Sequence, residues 1–398
     1  MKERIEERQL QGWRFIERFL EVLERVRAGL PLSLREQHGL RELHAGPYLG
    51  LFLFGLFNPI VDSMRGLCRA SALPRVQAEI GHGVVALSRF SEAQHVFDPE
   101  LLRRSLSDLL AQSAGTLGAT CGGFPKEALR IIDSTLWKVV PRMQWATWRH
   151  QHVEQRALRL HLKLRVWDEA PAEAKITTGD TCERAALRAL LVPGEIYLGD
   201  RNYGGADFPL LAEMRAQGCD FLFRLRKNVI LHWECTEMLD EVAQAAGLTQ
   251  AGLARLGQAG QSGPWRVIVL ARPGEEPVYL VASACWAQWS AAEVAAFYRQ
   301  RWKIEHFFRW LKCLVPCRHW LAQSERGVNF QIYLALIAAL LLAQSLGTRP
   351  NKRMLEALRF FQMGWASDEE TAALILQAER ETRRQRELAA QKAAKKKA

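Results

Sequence analysis

The sequence predicts a mixed α/β protein, with a helical region before its strands and a helical tail after them. Residues 157–167 alternate apolar and polar side chains with the period of a strand that is buried on one face. Two short apolar runs, residues 129–132 and 195–199, each lead into an aspartate, and helical patterns separate and follow them. Strands that alternate with helices favour a sheet packed against helices.

The N-terminal region has helical periodicity and many basic side chains. Residues 1–45 are predicted to be mostly helical. Their apolar stripe consists of Trp13, Ile16, Leu20 and Leu23. Further helices are predicted over residues 74–87 and 91–111, where Asp98 and the following proline are typical of a helix start. A helix-turn-helix fits this pattern, and both a DNA-gripping helix and a solvated surface helix stay open. Residues 115–123, which contain a Gly-Gly pair, are predicted to form a linker.

The middle of the chain predicts a sheet with two acidic side chains where apolar runs end. Strands are predicted over residues 129–132, 157–167, 195–199, 220–226, 265–271 and 278–283, and helices over residues 181–191, 208–217 and, weakly, 238–256. Asp133 and Asp200 follow such runs, and a rigid strand can hold a carboxylate in a fixed position. A turn or cap role is the alternative for each, and Asp168 and Asp180 are comparable local candidates.

Residues 291–312 are predicted to form one long helix that carries functional side chains. Ser290 and Glu293 form a capping-box pattern at its start. At about 100° per residue, one polar stripe contains Tyr298, Arg301, Glu305 and Lys312. A neighbouring stripe, at Phe297, Ile304, Phe308 and Leu311, is suited to burial. A polar stripe beside a buried one has the layout of a site, and a solvated charged face is the alternative.

The composition limits the compartment and the partners. A net charge of +11 and a pI near 9.4 favour a polyanionic partner, which leaves nucleic acid, an acidic membrane surface or plain solubility open. The eight cysteines form no disulfide framework, so a reducing cytosol fits best. Cys313, Cys317 and His319 have zinc-ligand spacing but lack an evident fourth ligand.

No signal peptide or membrane span is predicted. The chain begins with a charged, helical pattern rather than an apolar one. The apolar segments 49–61 and 328–346 are expected to be buried helices, because a span needs about 20 apolar residues. Residues 379–398 form a charged tail that is helical or frayed, with a lysine-rich end expected to be disordered.

Three motifs together resemble the insertion-sequence-four family of DDE transposases. The helix has the spacing Y-x2-R-x3-E-x6-K, the family's Y-R-E-K signature. Asp133 lies in L-R-I-I-D-S-T, and Asp200 lies in G-E-I-Y-L-G-D-R-N-Y-G, where Arg201 completes a D-R pair. The order Asp, Asp, Glu is also the family's order. The segment after Arg201 departs from the family, since no further acid follows until Asp207.

The resemblance implies a ribonuclease-H-like catalytic core that is interrupted by a β-rich insertion. The implied organisation is a helical DNA-binding region at 1–122, the two parts of the core at 123–226 and 291–346, the insertion at 227–290 and a basic helical tail at 347–398. In this fold the first aspartate lies on the first strand, and the second lies just past the fourth. The glutamate lies on a late helix.

The resemblance also implies the chemistry and the partners. Asp133, Asp200 and Glu305 would be catalytic and would hold two Mg²⁺ ions, with Mn²⁺ able to substitute, because hard oxygen ligands suit these ions. The implied DNA contacts are Tyr298, Arg301, Lys312 and Arg201, with a flipped base stacked on a tryptophan, for which Trp265, Trp286 and Trp289 are candidates. The substrate would be double-stranded DNA with inverted repeats at the transposon ends, cut through hairpins by a homodimer and joined to target DNA.

Such a protein would act on the nucleoid in a prokaryotic cytoplasm, away from membranes. Two alternatives remain from the sequence. One is a ribonuclease-H-like nuclease that cuts specific DNA structures with the same acids. The other is a catalytically silent DNA-binding protein derived from a transposase.

Overall fold

The computed structural model describes residues 13–58, 60–113, 128–140, 142–150, 153–205, 208–271, 274–314, 320–346, 351–362 and 365–395. The chain divides into two compact units. One consists of Met1–Ala114 with Trp310–Ala398, and the other of Gly115–Arg309. In the described residues the first unit is helical and the second contains the strands. The predicted linker at 115–123, Asp207, and the candidate zinc ligands Cys317 and His319 lie outside the described residues.

The helices and strands are numbered in chain order. The helices are α1 Trp13–Ala28, α2 Ala45–Phe57, α3 Met64–Ala70, α4 Pro74–Ile80, α5 Leu87–Val96, α6 Glu100–Ser113, α7 Glu183–Arg188, α8 Arg201–Gly204, α9 Phe208–Ala216, α10 Glu241–Ala245, α11 Ala291–Tyr298, α12 Trp302–Leu314, α13 Glu325–Leu346, α14 Lys352–Gln362 and α15 Asp368–Lys395. The strands are β1 Leu129–Lys138, β2 Thr147–His150, β3 Val153–Arg165, β4 Pro171–Thr178, β5 Ile196–Gly199, β6 Asp220–Arg224, β7 Leu231–Thr236, β8 Leu248–Leu256, β9 Ser262–Leu270 and β10 Val278–Ala282.

The helical unit is built around α13. This helix packs against α6, α2 and α5, and its middle is almost wholly buried. By length and composition it is the one helix in the described part of the chain that could cross a membrane, and 83% of its apolar window is buried inside the protein. Around it, the Tyr48 ring packs on Phe90 at 4.9 Å, Phe97 at 5.6 Å and Phe330 at 5.8 Å. The segment 328–346 is therefore a buried helix, as predicted. The segment 49–61 is a buried helix only as far as Phe57, and Ile60 is exposed.

The N-terminal region is mostly helical, as predicted, but not throughout. Residues 29–44 form turns rather than the predicted helix. Gly29, Pro31 and Gly39 interrupt the helical pattern there, because glycine and proline oppose helix continuation. The start of α6 follows the prediction, since the Asp98 side chain accepts a hydrogen bond from the backbone N–H of Glu100 at 2.9 Å.

The second unit contains one mixed ten-stranded sheet with the order β2-β3-β1-β5-β6-β10-β9-β8-β7, and β4 pairs with β3. Strand β1 is antiparallel to β3 and parallel to β5, and β5 is parallel to β6. Strand β10 then pairs directly with β6 in antiparallel orientation. The strands between residues 227 and 290 therefore extend the same sheet.

Two predictions of secondary structure need correction. The helix predicted over 238–256 is wrong for residues 248–256, which form β8 and pair with both β7 and β9. These residues are rich in alanine and leucine, so the pairing with two neighbours overrides their helical preference. The run leading into Asp133 also continues past that residue, because β1 extends to Lys138 and stays paired with β3.

A buried ion cluster fixes the register of the central strands. The Lys163 ammonium lies 2.9 Å from Glu195, which precedes β5, and 2.9 Å from Glu173 on β4. Glu195 also accepts hydrogen bonds from Arg130 on β1 at 2.8 Å and from the Tyr197 hydroxyl at 2.6 Å. Buried charges are tolerated when they are paired and hydrogen-bonded, so this cluster specifies how β1, β3 and β5 align.

Candidate active site

Asp133 lies on β1, and Asp200 directly follows the neighbouring strand β5. The parallel pairing of β1 with β5 ends with Ile131 opposite Leu198, and the same register continued for two residues would bring Asp133 opposite Asp200. The Asp200 charge also acts on the Asp133 carboxyl group, which agrees with this placement. Neighbouring strands are about 4.8 Å apart. Strand β5 ends at Gly199, so the side of β1 that faced it is open at Asp133. The two carboxylates therefore share an opening in the sheet beside the end of β5.

The electrostatics of this pair are those of crowded negative charge. Burial and the neighbouring Asp200 charge raise the pKa of Asp133 to about 7, against a hydrogen bond from the Ser134 N–H at 2.7 Å that favours the ionised form. Burial also raises the pKa of Asp200, whose carboxylate accepts a hydrogen bond from the Asn202 N–H at 2.8 Å. A cation at this position would relieve both effects.

The segment that carries Glu305 is not one continuous α-helix. Helix α11 begins with the predicted capping box between Ser290 and Glu293. A 3₁₀ turn over Arg299–Arg301 then separates α11 from α12. The 3₁₀ turn changes the angle between α11 and α12. Arg301 nevertheless contacts both Tyr298 and Glu305, so these three side chains are neighbours, as the stripe predicted. Ile304, Phe308 and Leu311 are buried, as predicted for the second stripe.

Arg301 lies between Asp133 and Glu305. Its guanidinium is 2.7 Å from a Glu305 carboxylate oxygen and 3.7 Å from an Asp133 oxygen. Its side chain is only 10% exposed, so these contacts are shielded from water. The resemblance implied that Arg301 contacts phosphate. In the structure, the guanidinium neutralises two of the three predicted catalytic acids.

Tyr298 is joined to the strand that carries Asp200. Its hydroxyl donates a hydrogen bond to the carbonyl of Gly199 at 3.2 Å, and burial raises the pKa of this hydroxyl. Gly199 directly precedes Asp200, so the hydrogen bond ties the start of the glutamate segment to the backbone at the aspartate. Tyr298 therefore makes a positioning contact here, and its implied DNA contact stays a prediction.

Replacing Tyr298 by phenylalanine removes this hydrogen bond without changing the ring. We expect a loss of about 1 kcal/mol in the free energy of unfolding, measured by urea denaturation, and a lower rate of any reaction that depends on Asp200. A control outside the site is Thr371→Val, which removes a hydrogen bond of 2.8 Å from the buried Thr371 hydroxyl to the Ser367 carbonyl in the helical unit. A Tyr298→Phe variant with unchanged stability and activity would contradict the assignment.

The other predicted DNA contacts differ in exposure. Arg201 is exposed beside Asp200, whereas Lys312 is half-buried and belongs to the helical unit. Trp286 is fully buried, with its ring 5.3 Å from Phe297, so it presents no exposed face for stacking. A cavity of about 260 Å³ is lined by Trp286, Trp289, Glu293, Ala296, Phe297 and Gln300.

Sequence reasoning missed Glu183. This residue lies in the first turn of α7, is 14% exposed and contributes to the raised pKa of both Asp133 and Asp200. The only signal in the sequence was an acid at the start of a helix that directly follows a strand. The two local alternatives are engaged elsewhere, since Asp168 pairs with Arg165 and Asp180 accepts a hydrogen bond from the Thr178 hydroxyl at 2.5 Å.

The donor set fits a hard divalent cation only in part. Asp133 and Asp200 offer carboxylate oxygens from adjacent backbone positions, and their mutual repulsion is what a cation would remove. Among the described residues, no group of three or more His, Cys, Asp or Glu side chains is arranged to hold a metal ion. Glu305 contacts Arg301 instead. The aspartate pair therefore fits the cation, and Glu305 would have to exchange partners to join it.

Two neighbouring aspartates on a mixed sheet, with a glutamate on a nearby helix, form a candidate acid-based active site. The transposase DDE domain family matches residues 124–341, more than half of the chain. The chain therefore belongs to this family, and the predicted membership of the DDE transposases is confirmed. Its insertion-sequence-four branch and the Y-R-E-K signature stay predictions.

Similar proteins include two bacterial relatives. A probable transposase for insertion sequence element IS5377 of Geobacillus stearothermophilus is 28% identical over 55% of this chain and 56% of its own length. The chain thus spans little more than half of that relative. A putative transposase, y4zB, of Sinorhizobium fredii is 26% identical over 63% of this chain and 71% of its own length. Among solved structures, a piggyBac transposase synaptic complex with hairpin DNA has a TM-score of 0.42 and 9% identity, over 95% of this chain and 82% of that one.

Proposed function

We propose that this chain is a DNA transposase that cuts at transposon ends and joins them to target DNA. The observation that carries the proposal is the alignment of Asp133 with Asp200 at the opening beside β5, with Glu305 linked to Asp133 through Arg301. A chain of the transposase DDE domain family with this arrangement has the acids that phosphodiester cleavage requires. The reaction proposed is hydrolysis followed by transesterification, with hairpin ends as the intermediate form of the DNA.

The strand order supports a ribonuclease-H-like core as part of this proposal. The strands β4, β3, β1, β5 and β6 lie side by side in that order. Strand β3 is antiparallel to both β4 and β1, whereas β5 and β6 run parallel to β1. Asp133 lies on the first strand, Asp200 follows β5, and Glu305 lies on a late helix. This is the placement that the resemblance implies for the three acids.

The roles of the side chains follow from their positions. When bound, Mg²⁺ or Mn²⁺ stabilises the charge that develops on the phosphodiester and lowers the pKa of water. Asp133 and Asp200 would hold the cation, and Glu305 would join them once it is released from Arg301. The guanidinium, freed from the acids, matches a phosphate group in charge and geometry and would bind the DNA backbone.

The proposed partners are the transposon ends and the target DNA. A net charge of +11 supports binding to a polyanion, and exposed Arg201 lies one residue from Asp200. Inverted repeats at paired ends would be bound by a homodimer, which accounts for two cuts in one complex. The proposed location is the nucleoid in the cytoplasm of a prokaryotic cell.

The test is a cleavage and joining assay with DNA that carries the inverted repeats flanking the coding region. We expect Mg²⁺-dependent cutting by the unmodified protein and joining of the cut end to a second duplex. Glu305→Gln should lower cutting at least about 10²-fold and leave binding of the ends unchanged in a mobility-shift assay. The matched control is Glu213→Gln, which breaks a glutamate–arginine pair with Arg188 outside the site.

The outcomes separate this function from its alternatives. Cutting without joining would favour a structure-specific nuclease. Binding without any Mg²⁺-dependent cutting would favour a silent DNA-binding protein. Retained cutting by Glu305→Gln would remove Glu305 from the active site.

A further inference from the structure

A second glutamate–arginine pair lies beside Asp133. The Arg159 guanidinium on β3 is 2.5 Å from a carboxylate oxygen of Glu183, and both side chains are less than one-fifth exposed. Helix α7, which carries Glu183, packs on the sheet face formed by Ile132, because Leu187 and Ile132 belong to one buried cluster. Successive side chains of a strand point to opposite faces, so Asp133 points to the face opposite Ile132 and Ser134.

The Glu183 pair is joined to Asp133 through Ser134. The Ser134 hydroxyl donates a short hydrogen bond to the same Glu183 oxygen and accepts one from Arg159 at 2.9 Å. The Ser134 backbone N–H donates to the Asp133 carboxylate at 2.7 Å. A single residue therefore connects the glutamate on one face of the sheet with the aspartate on the other.

Arg159 is itself fixed by the backbone. Its guanidinium donates two hydrogen bonds to the carbonyl of Gly179, at 3.1 and 3.2 Å. The cluster of Arg159, Glu183 and Ser134 thus joins the end of β4, the start of α7 and the middle of β1. It lies where β1 has lost its pairing with β5 and has β3 alone as a neighbour.

We propose that Glu183 is a positioning residue of the active site, which holds the Asp133 segment of β1 through Ser134 and keeps the Arg159 cation engaged. This inference rests on the proposed function of Asp133. Without the Glu183 charge, the Arg159 guanidinium would lose its carboxylate partner. It would still lie beside Ser134, the residue that follows Asp133. Its unpaired positive charge would then lie close to the Asp133 segment and repel a divalent cation bound there.

A purely structural ion pair is the alternative, and the same helix provides one. Arg188, at the other end of α7, pairs with Glu213 on α9 at 2.5 Å. This pair also joins an arginine to a glutamate, and it also anchors α7. Unlike the first pair, it is not hydrogen-bonded to the residue that follows Asp133. Glu213→Gln is therefore the matched control for Glu183→Gln.

The experiment compares the two variants for Mn²⁺ binding by the DNA-free protein, measured by electron paramagnetic resonance, and for end cleavage. We expect Glu183→Gln to weaken Mn²⁺ binding about 10- to 100-fold, the range for residues that orient metal ligands. Cleavage should fall at limiting Mn²⁺ and recover in part at high Mn²⁺. DNA affinity and the properties of Glu213→Gln should match those of the unmodified protein.

Ser134→Ala provides a second route if Glu183→Gln does not fold. It removes the hydroxyl link, so Mn²⁺ binding should weaken in the same direction, and the double variant should lose no more than the larger single loss. Equal Mn²⁺ affinity and cleavage in Glu183→Gln and Glu213→Gln, or no effect of Ser134→Ala, would overturn the inference. Asp133→Asn, tested in parallel, distinguishes failure of this inference from failure of the proposed function. If Asp133→Asn also leaves Mn²⁺ binding and cleavage unchanged, the proposed function fails. If Asp133→Asn abolishes both and Glu183→Gln changes neither, only the role of Glu183 fails.

Discussion

Asp133→Asn is expected to lower the rate of end cleavage at least about 10³-fold while making the metal-free protein more stable at pH 8. The loss of activity follows because an amide cannot supply the charge that holds a divalent cation beside Asp200. The gain in stability follows because burial disfavours the ionised Asp133 carboxylate and the Asp200 charge repels it in addition. The gain at pH 8 should be on the order of 2 kcal/mol.

The pH dependence of this effect has a definite sign. The pKa of Asp133 is raised from its ordinary value of 3.8 to about 7. The folded protein therefore binds this proton more tightly than the unfolded chain does. The contribution of Asp133 to stability is present below about pH 4 and is lost as the pH rises through about 7.

Urea denaturation in EDTA between pH 4 and 8 measures the effect. The unmodified protein should lose stability over this window relative to Asp133→Asn. Asp220→Asn is the control. Asp220 pairs with Arg215 at the start of β6, whereas Asp200 follows the end of the parallel strand β5. Parallel pH profiles for Asp133→Asn and the unmodified protein, or retained cleavage, would contradict this account of Asp133.

Arg301→Gln is expected to have the second largest effect. The variant leaves Asp133 and Glu305 without the cation that now lies between them, so two carboxylates that are 17% and 34% exposed lose their partner. We expect a loss of about 2–4 kcal/mol in the free energy of unfolding at pH 8. Cleavage should fall at least about 10²-fold, because the variant also lacks the proposed phosphate contact.

Metal binding distinguishes this prediction from simple damage to the fold. Removing the guanidinium leaves the acids free for a metal ion, so the DNA-free variant should bind Mn²⁺ more tightly than the unmodified protein. Arg188→Gln, which breaks the pair with Glu213, should be less destabilising and should leave Mn²⁺ affinity unchanged. Weaker Mn²⁺ binding by Arg301→Gln would show that Arg301 supports the metal site rather than competing with it.

Local signals in the sequence predicted local structure well. The capping box at Ser290 and the cap at Asp98 depend on residues within three positions, and both form as predicted. The alternation over residues 157–167 predicted the strand β3, but not the burial of its polar face, since His161 and Lys163 are also buried. These features need no knowledge of distant neighbours.

Features set by distant neighbours were not predictable from pattern alone. Residues 248–256 form a strand because two other strands pair with them. The role of Arg301 depends on a 3₁₀ turn and on an acid far away in the sequence, at Asp133. Glu183 was missed because its partners, Arg159 and Ser134, come from two strands that only the folded sheet brings together.

The alignment of the aspartates was predicted by resemblance and not by spacing. The pattern placed each aspartate after an apolar run, yet β1 continues beyond Asp133 and only β5 ends there. The pairing of β1 with β5, fixed by the buried Lys163 cluster, is what brings Asp133 beside Asp200. The sequence pattern therefore indicated the two aspartates as candidates, whereas the pairing of β1 with β5 indicates that they lie together.

The most direct measurement is anomalous diffraction from crystals of the DNA-free protein soaked in Mn²⁺. We expect a manganese peak about 2.2 Å from carboxylate oxygens of both Asp133 and Asp200. We also expect the Arg301 guanidinium to be displaced from Asp133. A peak bound elsewhere, or no peak at saturating Mn²⁺ with Arg301 still between Asp133 and Glu305, would contradict this account.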